Sequence, residues 1–524
     1  MRIRARLSCT VTAVLLFATA GTVIAADRWA AVSDVVTAEG IRRHTVVLGS
    51  DGLAGRFPGT SGGNRAASYL VDELRRTGLA SPWSHGRLQQ MVPLHGSTAQ
   101  PESEMVVSNL GEARRLQLGT DYLLYTGGDQ TEIPRPVPTV FVGYGIVAPE
   151  FDYSDYADVD VRGRVVVFLP GEPASDDPRY FAGQRATVYS AAETKRRIAL
   201  SRGAVGSFLL PIVDGASAEA WARLRRDFAF EHMSLAYAIP SHLSGIFHPD
   251  LAGWLFSSAL YDWTSVREME RTGTVRSFHL PVQLAFDGHF QSRDVMSPNV
   301  VARLEGRDPM LRDTAIVVSA HYDHLGIGPV MEGDSIYNGV IDNAIGVAGV
   351  LEIARVLAEL DPPPRRSVIF LFSTAEEEGL LGSRYFLDRP PIRLSRMAAN
   401  INVDGLAFNA AFDDVIGVGA DLSSLGDVLA EVVSAWGLEI GEVSLELWSS
   451  ESFSRSDQAA FAERGVPSLL VNEGFSWRGS SRAEAERRTM WWLHSVYHSP
   501  KDDLDQKISW HAARQHAGLL AALI

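Results

Sequence analysis

The sequence predicts an α/β sandwich, with helices on both faces of a mostly parallel central sheet, joined to a second, β-rich unit. Three observations carry this. Four short apolar runs, Ala315 to Val318, Ser367 to Phe372, Ile401 to Val403 and Ser468 to Val471, alternate with stretches of helical periodicity. Histidine and acidic side chains recur just past the ends of several of these runs, where open α/β sheets place their ligands. From about Leu110 to Leu280 the pattern changes to short β-like runs split by Gly, Pro and Asp. A chain of 524 residues is long for one domain.

The first 25 residues read as an export leader. Arg2, Arg4 and Arg6 precede the apolar run Val11 to Ala20, and Val23-Ile24-Ala25 resembles a small-residue cleavage site before Ala26. An uncleaved anchor is the rival reading, although the run is short for a membrane span. The chain is therefore expected to act in the periplasm or outside the cell. Cys9 is the sole cysteine and lies within the leader, so neither disulfides nor thiolate ligands are available to the mature protein. Cleavage removes three arginines and no acids, which moves the net charge from −15 to −18. That excess disfavours nucleic acid and anionic membrane surfaces as partners.

Residues 26–109 read as the start of the main unit: a helix, a Gly-rich loop through Leu53, Gly55, Arg56, Pro58, Gly59 and Thr60, then an amphipathic helix. Residues 110–280 form the separate β-rich unit, with strands expected in TVFVGYGIV and GRVVVFLPG and a helix-then-strand pattern in TKRRIALSRGAVGSFLL. Residues 281–524 hold the rest of the main unit and its polar cluster.

In that cluster Glu376 and Glu377 follow the buried run SVIFLFS. Adjacent acids at a strand end repel each other and lose solvation unless a cation is present. The alternative is that Glu376 to Glu378 favour the start of the next helix. His321 and Asp323 are two apart after another apolar run, so in extended chain they share a face, and Asp323 is placed to accept a hydrogen bond from the His321 ring. His324 is expected to point elsewhere, as a loop histidine. Asp342 precedes a helix marked by Val347, Val350, Leu351, Ala354 and Leu357; it suits either an N-cap or a carboxylate shared by two cations. Asp404 ends a short apolar run, and His498 lies in a loop followed by Pro500.

His321, Asp342, Glu377, Asp404 and His498 make a mixed histidine and carboxylate set suited to divalent zinc. Two such cations would be neutralised by the three carboxylates and one hydroxide. Glu376 is left over as a general base.

The strings HYDHLGIG, DNAIGVAGVLEIAR, STAEEEGLLGSRYF, NVDG, SDQAAFAERGVPSLL and YHSPKDDL, in this order between about Ser297 and Asp503, resemble the blocks of the M28 metallopeptidase family, the co-catalytic dizinc aminopeptidases. The resemblance implies a zinc-exopeptidase-like fold and hydrolysis of peptides with a free N-terminus. It implies that His321 and Asp404 bind one Zn2+, Glu377 and His498 a second, and that Asp342 bridges them. Glu376 would be the general acid/base, Asp323 the partner of His321, and the Asp342–Asn343 peptide would be cis. The middle segment resembles an inserted protease-associated (PA) domain. Ile345, Val340, Ile341 and Gln458 depart from the family pattern, all outside the ligand positions. On the same fold, a carboxypeptidase, dipeptidase, glutaminyl cyclase or non-catalytic receptor-like protein are the alternatives. Aromatic residues at 448, 453, 475, 477, 491 and 492 are candidates for either pocket wall or core.

Overall fold

A computed structural model describes residues 35–125, 131–212, 218–443 and 451–524. The export leader and Trp448 lie outside the described residues. Nine strands form one sheet: β1 (Gln89–Ala99), β2 (His232–Leu235), β3 (Phe290–Leu304), β4 (Ala315–His321), β5 (Ser367–Ser373), β6 (Met397–Asn402), β7 (Asp414–Val418), β8 (Glu439–Ile440) and β9 (Ser468–Glu473). Their spatial order is β2-β1-β3-β5-β4-β6-β9-β7-β8.

The four strands expected from the sequence are β5, β4, β6 and β9, and they lie side by side and parallel. Antiparallel pairs flank them, β3 on β5 and β7 on β9, so the sheet as a whole is mixed. The parallel centre is buried on both faces, which explains why its strands read as unbroken apolar runs. Val318, Ala320, Val368, Phe370 and Phe372 face one core, whereas Ala315, Val317, Ile369 and Leu371 face the other.

The first core is covered by helices α1 (Ala38–Leu48), α2 (Ser61–Arg76), α3 (Ile345–Glu359) and α4 (Trp510–Leu523). The second is covered by the shorter helices Leu381–Asp388 and Gln458–Glu463. Each side chain of α3 from Ile345 to Ala354 is buried, so it is a core helix rather than an amphipathic surface one.

A second sheet of eight strands is built from the segment between β1 and β3, with a hydrophobic core of its own. Its strands include Val165–Phe168, inside the second β-like run noted above, and Ile133–Phe141, which overlaps only the start of the first. The helix Ala192–Ser201 followed by the strand Gly206–Leu209 matches the helix-then-strand pattern. The same segment also sends β2 back into the nine-stranded sheet, paired with β1. Among the described residues no helix is long and apolar enough to cross a membrane.

Candidate metal centre

The polar residues singled out in the sequence converge at the C-terminal ends of the parallel strands. His321 is the last residue of β4. Glu376 and Glu377 follow β5 after a turn through Ala375, which has a left-handed φ of 54°. Asp404 lies two residues past β6. Asp342 sits in the irregular segment Val340–Ala344 before α3, with a cis peptide to Asn343. His498, at φ 53°, follows the helix Arg482–Ser495.

Asp342 divides its two oxygens between the histidines. Its Oδ1 is 3.2 Å from His321 Nε2, and its Oδ2 is 3.4 Å from His498 Nε2. His321 Nε2 is also 3.2 Å from Asp404 Oδ1, and His498 Nε2 is 3.1 Å from Glu377 Oε2. One ring nitrogen carries at most one hydrogen, so neither histidine can satisfy two carboxylates by hydrogen bonding alone. Among the described residues His498 Nε2 in fact has no well-directed hydrogen-bond partner, and Glu376 Oε1 and Asp323 Oδ2 are buried without one.

Burial and neighbouring charges shift several of these groups. Burial and the neighbouring Glu377 and Asp404 hold Glu376 well above the usual carboxylate range. Burial opposes a charge on His498, but Glu377 and Asp342 outweigh it and push the ring up to about 10. Burial likewise opposes ionised Asp342, and the adjacent His321 and His498 rings nevertheless hold it well below the ordinary value. Nitrogen and oxygen donors of His321, Asp342 and Glu377 lie within 4.8 Å of one another, close enough to share a cation. Zinc fits this donor set, and it would supply the positive charge the cluster lacks.

Neither helix-start explanation holds. The helix after the three glutamates begins at Leu381, capped by no side chain, and α3 begins after Ala344, again with no side-chain cap. Glu378 turns away from the cluster and accepts a hydrogen bond from Met233 N–H of β2 at 2.8 Å; burial pushes it up to about 8.

Asp323 is fully buried, but its contact with His321 differs from the expected one. The main-chain oxygen of Asp323 lies 3.3 Å from His321 Nδ1, whereas its carboxylate is 3.9 Å away. The carboxylate instead accepts from Glu376 N–H at 3.2 Å. His324 is a clear correction: it is buried, with Nδ1 2.6 Å from Glu377 Oε1. Strand alternation ends at His321, so it could not place a residue three further on.

Asp502 was also missed. Its carboxylate accepts from Ile341 N–H at 2.9 Å and Asp342 N–H at 3.0 Å and so pins the Asp342 backbone. The run of acids in KDDLD gave no sign of which one turns inward. Of the aromatic residues, Phe475 and Trp477 belong to the core, Trp491 is exposed, and Trp492 packs on Tyr497, which stacks 3.8 Å from the His498 ring.

Known aminopeptidases are similar to this chain. Aminopeptidase YwaD of Bacillus subtilis (strain 168) is 29% identical over 212 residues, 40% of each protein. A probable leucine aminopeptidase 2 of Aspergillus oryzae is 30% identical over 173 residues, 32% of each. The matched stretch thus spans well under half of either relative. A solved aminopeptidase from Aneurinibacillus sp. strain AM-1 superposes with a TM-score of 0.54 at 18% identity, covering 94% of both chains, and so shares the fold. The model of peptidase family M28 matches residues 299–524, the stretch that supplies all five ligand candidates.

Proposed function

We propose that this chain is an exported dizinc aminopeptidase that removes N-terminal residues from peptides. The observation that carries the proposal is the division of Asp342, one oxygen toward His321 and the other toward His498, at 3.2 and 3.4 Å. His321, Asp404 and Asp342 Oδ1 would hold one zinc, and His498, Glu377 and Asp342 Oδ2 the other. Zinc bound there supplies Lewis acidity toward the scissile carbonyl and the attacking water.

Glu376 is the residue placed to move protons. It is buried, its Oε1 has no partner, and its Oε2 reaches only to 4.0 Å from His321 Nε2. Burial first, and then the nearby Glu377 and Asp404, raise its proton affinity. Glu376 then accepts a proton from the attacking water and returns it to the leaving amine. Its backbone N–H is fixed by the Asp323 carboxylate at 3.2 Å, which orients the turn that carries it. The acidic surroundings suit a substrate with a cationic amino terminus.

The leader with Arg2, Arg4 and Arg6 supports export, and the second sheet with its helix-then-strand unit supports an inserted PA domain. The deciding experiment is zinc content, with hydrolysis of aminoacyl-anilides and dipeptides by the mature protein, before and after chelation. About two zinc per chain and chelator-sensitive release of single amino acids are expected. Zinc uptake with cleavage only of acidic C-terminal substrates would overturn the aminopeptidase reading.

A further inference from the structure

Arg56 has a position that the metal ligands alone do not explain. It ends the short helical segment Asp51–Arg56 after α1, at a left-handed φ of 51°, and is only 1% exposed. Among the described residues no carboxylate lies within ion-pair distance of its guanidinium. Its acceptors are four main-chain oxygens. Nε donates to Tyr322 O at 2.7 Å, Nη1 to Leu48 O at 2.7 Å and to Asn338 O, and Nη2 to Gly339 O at 2.9 Å.

These acceptors lie on three separate stretches of chain. Tyr322 follows His321, and Asn338-Gly339 leads into the segment that carries Asp342. Leu48 belongs to α1. The contact is close-packed: a Cβ added to Gly55 would meet Gly326 O and Tyr337 O at 2.5 Å. Asn338 reinforces it from the other side, with Nδ2 donating to Gly49 O and Asp51 Oδ1, each at 3.0 Å.

We infer that Arg56 is a positioning residue for the metal centre, a rigid fork that sets the spacing between the His321 and Asp342 stretches. The inference rests on the metal reading above. A planar guanidinium can hold four fixed acceptors at once, whereas an ammonium offers three donors from one point. The fork also brings a permanent positive charge beside an acidic cluster. Burial lowers its proton affinity, and Asp323, Asp502, Asp342 and Glu377 act through space to restore it. The centre is therefore completed by the N-terminal loop, some 240 residues before the stretch matched by the family model.

The test compares wild type with Arg56→Lys, which keeps the charge and loses the fork. Zinc affinity is measured by chelator competition, the visible spectrum is recorded with cobalt in place of zinc, and circular dichroism and melting of the metal-free chains control for folding. The expected result is a folded Arg56→Lys protein whose zinc affinity is lower by about 10- to 100-fold, with an altered cobalt spectrum. A folded variant with wild-type affinity and spectrum overturns the inference. If Arg56→Lys does not fold, Asn338→Ala decides: weakened zinc affinity supports the inference, and unchanged affinity overturns it. A wild-type chain that takes up neither metal overturns the metal reading itself, and this inference with it.

Discussion

His324 Nδ1 lies 2.6 Å from Glu377 Oε1, while His498 Nε2 lies 3.1 Å from Glu377 Oε2. Glu377 is therefore held at one oxygen by a buried ring and offers the other to the cluster. Replacing His324 with Ala is expected to lower zinc affinity by about 10- to 100-fold, the usual loss when a ligand is no longer oriented. Chelator competition measures this, and an unchanged dissociation constant would show that Glu377 needs no such support.

Glu376→Gln keeps the shape of the side chain and removes its ability to take a proton. Turnover is expected to fall by about 10²- to 10⁴-fold with bound zinc unchanged. Kinetics alongside metal analysis of the same sample separate the two effects. Near-normal turnover would remove Glu376 from the reaction.

Metal removal is expected to lower thermal stability as well as activity. The ligand carboxylates share a small volume, and a cation that binds only the folded chain stabilises it by about 4 kcal/mol when its free concentration is about 1,000 times its dissociation constant. Calorimetry over a zinc titration checks this. A melting temperature independent of zinc would contradict the site.

His516 on α4 supplies a pH-dependent term outside the set of ligand candidates. It is fully buried; Ala407 N–H donates to its Nδ1 at 3.0 Å, so Nε2 carries the hydrogen and donates to Val471 O at 3.0 Å. Burial pushes the ring down from 6.5 to about 4. The unfolded chain therefore binds a proton that the folded chain refuses, and stability falls as pH drops from 6.5 toward 4. The loss is about 3 kcal/mol by pH 4 from the size of that shift. His516→Gln should flatten denaturant-midpoint against pH across this window, and a slope equal to wild type would exclude the role.

The parallel centre of the fold was legible because buried strands leave unbroken apolar runs, and the ligands because they sit where those runs end. His321, Asp342, Glu377, Asp404 and His498 all came together in the structure. What the sequence hid depended on chain direction beyond regular structure. His324 looked like a loop residue because no periodicity reaches past His321. Asp502 was one acid in a charged stretch, and Arg56 was one member of a Gly-rich loop whose contacts are main-chain oxygens with no sequence signature. The antiparallel flanks were likewise unread, since β1 and β3 are only partly buried, β2 is four residues long, and the three come from distant parts of the chain.

The strand β2 has a consequence for any attempt to trim this protein. It covers the outer side of β1 from Leu94 to Ser97, with Leu94 opposite Leu235 and Ser97 opposite His232. Met233 and Leu235 also close a small apolar cluster over Phe57, Val92 and Leu94. A shortened chain that lacks residues 104–287 would present this stretch of β1 as a bare edge with apolar neighbours, a template for strand pairing between molecules. Such a chain is expected to self-associate on size-exclusion chromatography even with every metal ligand intact.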